Sequence, residues 1–276
     1  MDHQGEDGDA GALASSARKS GTQCIHRSLG VLRLLAGSPP EGVKLTDIAN
    51  ALDLSHPTAH RILKALEEEG VVDRVRGSRR YTIGSEAIWL GLPAAQRFPI
   101  ASIAGPALDR LCETVGDSIF LAVRSRNDSV YVDRRIGSYP IQATRLSLGA
   151  RRPLGVSVAG RAMMGFLSKA KVDAILDENE GAYSKFKLSR DKVAEDLGLA
   201  RERGYLLSGS LVNRERRVLS APVLDIVGSP VAAVSIIASV HRLPAERIDR
   251  VVPQLKAAVR EIGDSLIQNG RKQIAC

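Results

Sequence analysis

The residues best placed to do chemistry run from Ser55 to Leu66: Ser55-His56-Pro57-Thr58-Ala59-His60-Arg61-Ile62-Leu63-Lys64-Ala65-Leu66. On a helix, Ala59, Ile62, Leu63 and Leu66 share one side, which leaves Pro57, His60, Arg61 and Lys64 on the other. An arginine there can bond guanine O6 and N7 together, and the Thr58 methyl can touch thymine. Ser55 suits an N-cap, His56 follows it, and Pro57 falls in the first turn, where a missing N–H is tolerated. Such a helix start is what a DNA reader presents to the major groove. Downstream, Arg74-Val75-Arg76-Gly77-Ser78-Arg79-Arg80 sets four arginines around a Gly-Ser turn. Arg76, Arg79 and Arg80 at such a tip suit phosphate or minor-groove contact. A solvated amphipathic helix and a charged hairpin would explain each piece, but not cap, turn, helix and wing in series.

Several elements must position these groups. Leu45 to Leu54 reads as a first helix with Ile48, Ala49 and Leu52 inward. Val71–Arg74 and Tyr81-Thr82-Ile83 read as the strands of the wing. Upstream, Gln23 to Ala36 has helical spacing, with Ile25, Leu29, Leu32 and Leu35 on one face, and Gly37–Gly42 breaks it. Residues 1–20 are acidic and Gly/Ala/Ser-rich, the composition of a disordered tail. The expected domains are therefore a reader over 21–84, a linker helix over 85–99 and a second domain over 100–272. Trp89 in the linker reads equally as a dimer contact or a core residue.

The second domain has mixed patterning. Asp117–Arg124 and Ser129–Arg135 alternate as strands around an Asn127-Asp128 turn, and Ile141–Leu146 is a further short strand. Helices are expected at Ile100–Val115, Ser157–Leu167, Lys171–Asn179, Arg190–Arg203 and Ala245–Gln268. Strands are expected at Tyr205–Ser208, Val218–Ile226 and Pro230–Val240. Hairpins outnumber β-α-β repeats, which predicts a largely antiparallel sheet flanked by helices. The fold class is thus α+β in two domains: a helical winged helix-turn-helix with its β wing, then an antiparallel-sheet domain.

Composition sets the outer bounds. A chain of 276 residues suggests about two domains, and no run approaches the ~18 apolar residues of a membrane helix. The N-terminus lacks a basic-then-apolar signal pattern, so a cytoplasmic protein with no membrane partner is expected. Cys24, Cys112 and Cys276 are scattered without metal-ligand spacing, and no cofactor or metal is expected. The net charge of +8 does not itself argue for DNA: residues 1–84 carry eleven basic and eleven acidic side chains, and the excess lies downstream. The case rests on where Arg61, Lys64 and the wing arginines stand.

From about Cys24 to Leu266 the chain resembles IclR-type bacterial transcriptional regulators. The matching pieces are the Leu45–Leu54 and Ser55–Leu66 helices, Tyr81-Thr82-Ile83-Gly84 and Gly149-Ala150-Arg151-Arg152-Pro153-Leu154. Further on come Gly160-Arg161-Ala162, Arg201-Glu202-Arg203-Gly204-Tyr205, Ala221-Pro222-Val223 and Ala232-Ala233-Val234-Ser235. The resemblance implies a winged reader of double-stranded operator DNA and a GAF/profilin-like effector-binding domain. It also implies a homodimer or dimer of dimers, and small organic acids or aromatic catabolites as effectors. The chain departs from the pattern at Arg161, where the family often has Lys, and at Gly155, where an aromatic or His is common. It departs again at Leu211, Glu215-Arg216 and Val218, ahead of the Ala-Pro-Val strand.

For the effector, Gly155-Val156-Ser157-Val158-Ala159-Gly160 enters a helix with small residues that admit a ligand and N–H groups that attract a carboxylate. Ser157 could cap that helix or bond the ligand. Phe120 and Tyr131 are candidate walls, and the resemblance puts Ser220 and Ser235 on strands beside the pocket. Each of these also reads as ordinary packing, and Arg145 as a counter-ion or a surface arginine. Gly155–Ala159 falls one residue short of a Gly-x-Ser-x-Gly elbow, with Asp225 and His241 following in hydrolase order. That alternative, a serine hydrolase using Ser157, needs a buried parallel strand before the elbow, which Arg151-Arg152-Pro153 does not resemble. A DNA-binding architectural protein without an effector would have no use for a second domain of this size.

Overall fold

The computed structural model describes residues 9–139, 146–211 and 215–274. Arg145 and nearly all of the expected Ile141–Leu146 strand lie outside the described residues. The chain divides into two compact units, Met1–Arg97 and Phe98–Cys276.

In the first unit, α1 (Asp9–Ala36) is followed by β1 (Val43–Lys44), α2 (Leu45–Ala51) and α3 (His56–Glu68). Strands β2 (Val72–Arg74) and β3 (Arg80–Ile83) form the wing, and α4 (Glu86–Arg97) closes the unit. The three strands pair antiparallel in the order β1-β3-β2, with Lys44 opposite Arg80 and Arg74 opposite Tyr81. Helix α1 begins at Asp9, so it continues back through most of the stretch expected to be a disordered tail. Among its described side chains Val31 and Leu35 are buried, while Ile25 and Leu29, expected inward, are exposed.

The core of this unit joins Val31 and Leu35 to Ile48, Ile62, Leu63, Val72 and Tyr81. Each fully buried aliphatic side chain contributes about 1.5–3 kcal/mol, so this small cluster is the main source of the unit's stability. The turn between α2 and α3 needs one left-handed residue, which Asp53 supplies at φ 51°, a conformation aspartate tolerates better than most side chains. Gly84 is required for a different reason: a Cβ there would press into the carbonyl oxygen of Gly70.

The second unit opens with α5 (Ile100–Val115), β4 (Ser118–Ser125), β5 (Asp128–Arg135) and β6 (Arg151–Pro153). Four helices follow: α6 (Val158–Met164), α7 (Lys169–Glu178), α8 (Glu180–Lys185) and α9 (Arg190–Arg203). Strands β7 (Leu206–Gly209), β8 (Arg216–Leu224) and β9 (Pro230–Ser239) and helix α10 (Ala245–Ile274) complete it. Six strands pair antiparallel in the order β6-β5-β4-β9-β8-β7. Side chains alternate across this sheet. Ile119, Leu121, Leu219, Ala221, Val234 and Ile236 face α5 and α10, whereas Phe120, Ala122, Val218, Ala233 and Ile237 face α6 and α9.

Asp117, buried between α5 and β4, anchors the start of α10. Its Oδ1 accepts from Arg242 Nε at 2.9 Å and its Oδ2 from Arg247 at 2.6 Å. Two stability effects are expected in thermal melts of the full chain. Asp117→Ala strands two arginines beside an apolar core and costs about 3 kcal/mol. Gly84→Ala forces the wing exit off the Gly70 carbonyl and costs about 1–3 kcal/mol. Unchanged melting in either variant would contradict the corresponding contact.

Candidate functional site

The first candidate surface is built on α3. Ala59, Ile62 and Leu63 are buried, and Leu66 is partly buried against the same core. The opposite side leaves Ser55, His56, Pro57, His60, Arg61 and Lys64 exposed, with Thr58 half-buried. Ser55 has the backbone of an N-cap, yet its hydroxyl makes no cap bond. It pairs with Thr58 Oγ1 at 2.8 Å. Lys64 lies 3.7 Å from Glu68 in an exposed pair one helical turn apart, which holds it loosely.

The wing separates its arginines into two kinds. Arg80 donates to the Gly42 carbonyl at 2.9 Å and is half-buried, so it fastens β3 to the loop before β1. Arg74, across the hairpin on β2, lies over the Tyr81 ring and donates to its hydroxyl at 2.9 Å. Arg76 and Arg79 stand exposed at the tip, around Gly77 in its left-handed turn, and Arg74 is exposed too but engaged by Tyr81. Fixed φ at Gly77 and the Ser78 Oγ contacts with Val75 O and Arg80 N hold this tip in shape.

The second candidate lies on the α6 face of the larger sheet. Phe120, Ser235 and Ser220 form a cross-strand row: Phe120 pairs with Ser235, which pairs with Ser220. Tyr131 meets Phe120 edge-on at a centroid distance of 5.9 Å. Ser235 Oγ donates to Ser220 Oγ at 2.9 Å, and Ser220 Oγ donates to Val234 O at 3.3 Å. Ser157 caps α6 by accepting from Gly160 N, and its hydroxyl also pairs with Ser129 Oγ at 2.8 Å. Burial raises the Tyr131 pKa, with Arg152 and then Ser157 opposing it. All seven predicted effector residues therefore line this one face or the loop into α6, and all are buried in the chain as described.

The glycine loop packs against a neighbouring ring. Gly155 adopts φ 92°, and a Cβ there would stand 2.5 Å from the Tyr183 hydroxyl, which donates to Leu154 O. The small residue makes room for Tyr183, a residue the sequence reading did not single out. Of the N–H groups at the start of α6, that of Gly160 is taken by Ser157.

Behind the loop sits another residue the sequence flagged only as a departure. Arg161 is fully buried; it donates to the carbonyls of Gly155 and Val156 at 2.8 and 3.0 Å and to Ser208 Oγ at 3.3 Å. Its Nε lies 2.9 Å from Asp196 Oδ2, off the hydrogen-bond line. Burial lowers the Arg161 pKa, and Asp196 is the largest opposing influence. A lone arginine amid Val158, Ala159, Gly160, Ala162 and Met163 was the available signal, since such a charge is buried only with partners.

The hydrolase order does not assemble into an elbow. Strand β6 is a three-residue antiparallel edge strand, and Asp225 Oδ1 accepts from Val227 N and Ser229 N in the β8–β9 turn. Among the described residues no cluster of His, Cys, Asp and Glu could hold a metal ion, and no helix is long and apolar enough to cross a membrane.

Helix α4 buries none of its side chains. Ile88, Trp89, Leu90 and Leu92 are all exposed, which removes Trp89 from the core of this chain.

Comparison with known proteins identifies both domains. Residues 25–76 match the IclR helix-turn-helix domain, and residues 93–264 match the bacterial transcriptional regulator IclR C-terminal domain. The chain is 29% identical over 239 residues to the glycerol operon regulatory protein of Streptomyces coelicolor, covering 87% of this chain and 92% of that one. It is 28% identical over 260 residues to the transcriptional repressor IclR of Escherichia coli, covering 91% and 92%. Among solved structures, an IclR transcriptional regulator from Alicyclobacillus acidocaldarius shares the fold at a TM-score of 0.71, with 23% identity and coverage of 88% and 98%. An IclR homologue from Microbacterium hydrocarbonoxydans, solved with 4-hydroxybenzoate, does so at 0.67, with 18% identity and coverage of 88% and 98%. The chain belongs to the IclR family of bacterial transcriptional regulators, with a helix-turn-helix DNA-binding domain and an effector-binding C-terminal domain.

Proposed function

We propose that α3 reads operator bases through Arg61, His60, Lys64 and Thr58, with Ser55, His56 and Pro57 at the groove entrance. The observation that carries this reading is the exposed polar face of α3, backed by a closed core and flanked by Arg76 and Arg79 at the wing tip. Arg61 supplies base specificity, because its planar guanidinium can satisfy guanine O6 and N7 together. The tip arginines supply sequence-independent phosphate or minor-groove attraction. Arg80 acts through the shape of the wing, since its guanidinium is already engaged by Gly42.

The effector is a small organic acid or aromatic catabolite that binds on the α6 face near Phe120, Tyr131, Ser157, Ser220 and Ser235. The aromatic pair and the buried hydroxyls offer a flat apolar wall beside hydrogen-bonding groups, the usual make-up of a small-molecule site. The 4-hydroxybenzoate bound by the Microbacterium homologue has that same mixed character. The working species is a homodimer, or a pair of dimers, whose contact uses the exposed Ile88, Trp89, Leu90 and Leu92 of α4. Effector binding then alters operator affinity by changing the spacing of the two recognition helices, through α4.

Fluorescence anisotropy with DNA from upstream of the protein's own gene, at fixed salt with non-specific competitor, tests the reader. Arg61→Ala is expected to weaken binding by about 1–3 kcal/mol and to relax discrimination at one base pair. Arg76→Ala and Arg79→Ala should weaken all sequences alike, each lowering the salt slope by about 1. Equal loss on specific and random DNA for Arg61→Ala would sink the base-reading role. For the effector, a thermal-shift panel of aromatic and short-chain acids should yield a stabilising compound that also changes operator affinity. A stabilising compound that leaves affinity unaltered would refute the coupling.

A further inference from the structure

The cross-strand row on the α6 face does not end at Phe120. On the far side of that ring β5 places Arg134 directly opposite Phe120, so the row reads Arg134, Phe120, Ser235, Ser220 across four strands. Residues opposite each other in an antiparallel pair share a face. Arg134 is half-buried there, and its guanidinium donates to the carbonyl of Leu146, which packs against the same core. Its chain neighbours point the other way: Asp133 and Arg135 pair with each other, and Arg135 reaches Asp109 on α5.

This cation is weakly engaged. The Leu146 contact is long, at 3.4 Å, and among the described residues no carboxylate pairs with the Arg134 guanidinium. The other charges on this side are occupied: Asp196 is held by Arg161 and Lys192, and Arg152 donates to Arg151 O at 2.9 Å. The far end of the row has the opposite character. Ser235 Oγ gives its proton to Ser220, which gives its own to Val234 O, so Ser235 has lone pairs to offer. At the start of α6 the Gly160 N–H is already held by Ser157, which leaves that helix one donor fewer for an anion.

We propose that Arg134 is the carboxylate partner of the effector, and that the row selects an aromatic monocarboxylate with an O–H or N–H group at the opposite end of its ring. The proposal rests on the reading that the α6 face takes the effector, and it specifies the chemistry. Neighbouring strands stand about 4.8 Å apart, so Arg134 and Ser235, on either side of Phe120, are separated by roughly 10 Å at the backbone. One six-membered ring between carboxylate and donor spans that gap once the arginine side chain reaches inward, with Phe120 and Tyr131 as its apolar wall. A carboxylate taken out of water needs a cation rather than a hydroxyl alone, and a planar guanidinium meets both of its oxygens. A second carboxylate at the far end would face the lone pairs of Ser235 and be rejected.

Isothermal titration calorimetry of the full chain with para-hydroxybenzoate and para-aminobenzoate tests this, each beside its amide, with benzoate and terephthalate as end-group controls. The native protein should bind the two acids at least about tenfold more tightly than their amides or terephthalate. Arg134→Gln should bring acid and amide to nearly equal affinity while the ligand-free melting temperature stays unchanged. Arg134→Lys, which keeps the charge but not the planar fork, should recover part of the preference. Ser235→Ala should instead remove the advantage of the para group over benzoate and leave the acid-to-amide ratio intact. That ratio is a readout that a merely structural role for Arg134 would not move. An acid preference that survives Arg134→Gln, terephthalate bound as tightly as the para-substituted acids, or no benzoate bound at all would each overturn the proposal. If short-chain acids still bind in the last case, the α6 face remains an effector site and only its selection of aromatic acids fails. If no acid binds, the effector reading fails with it.

Discussion

The alternation of side chains along β4 and β9 is the constraint on which the effector domain depends. Ile119 and Leu121 enter one core and Phe120 and Ala122 the other, while Val234 and Ile236 oppose Ser235 and Ile237 in the same way. A one-residue slip would exchange the two faces and send Ser220 and Ser235 into the aliphatic layer under α5 and α10. Every strand is antiparallel, so the register can be set locally by hairpins at β4–β5 and β8–β9. The polar residues of the α6 face are tolerated because each finds a partner there, Ser235 on Ser220 and Ser157 on Ser129.

The reader obeys a simpler rule. Three buried residues on α3 fix its rotation, and the polar side follows from the helical period. The wing is held by side chains whose charge would otherwise point to DNA. Arg80 gives its guanidinium to a loop carbonyl, and Arg74 gives its own to Tyr81. The division between anchoring and tip arginines is a property of strand register, because Lys44 opposite Arg80 brings that side chain over Gly42.

Much of this was legible from residue types alone, where start and stop signals were explicit. Helix α9 runs from Arg190 to Arg203 as read, because Ser189 accepts from Lys192 N at one end and Gly204 turns left-handed at the other. Helix α5 likewise starts after Pro99 and stops at Gly116. What escaped had no local signature. Helix α8 and strand β6 are too short for periodicity to register. At the candidate sites the residue types were informative but their engagements were not: nothing in Arg74–Arg80 says which arginine meets a carbonyl, and nothing near Gly155 announces Tyr183.

That last pair has a consequence for substitution at these two positions. The ring of Tyr183 occupies the space that a side chain at 155 would need, and its hydroxyl closes on Leu154 O. Any larger residue at 155 must displace the tyrosine and adopt φ 92° as well, and any smaller residue at 183 opens a void over the glycine. The two positions are separated by α6 and α7 in the chain, yet they trade volume with each other. A smaller residue at 183 clears space at 155 but leaves the left-handed backbone there, so two independent constraints hold position 155 as glycine.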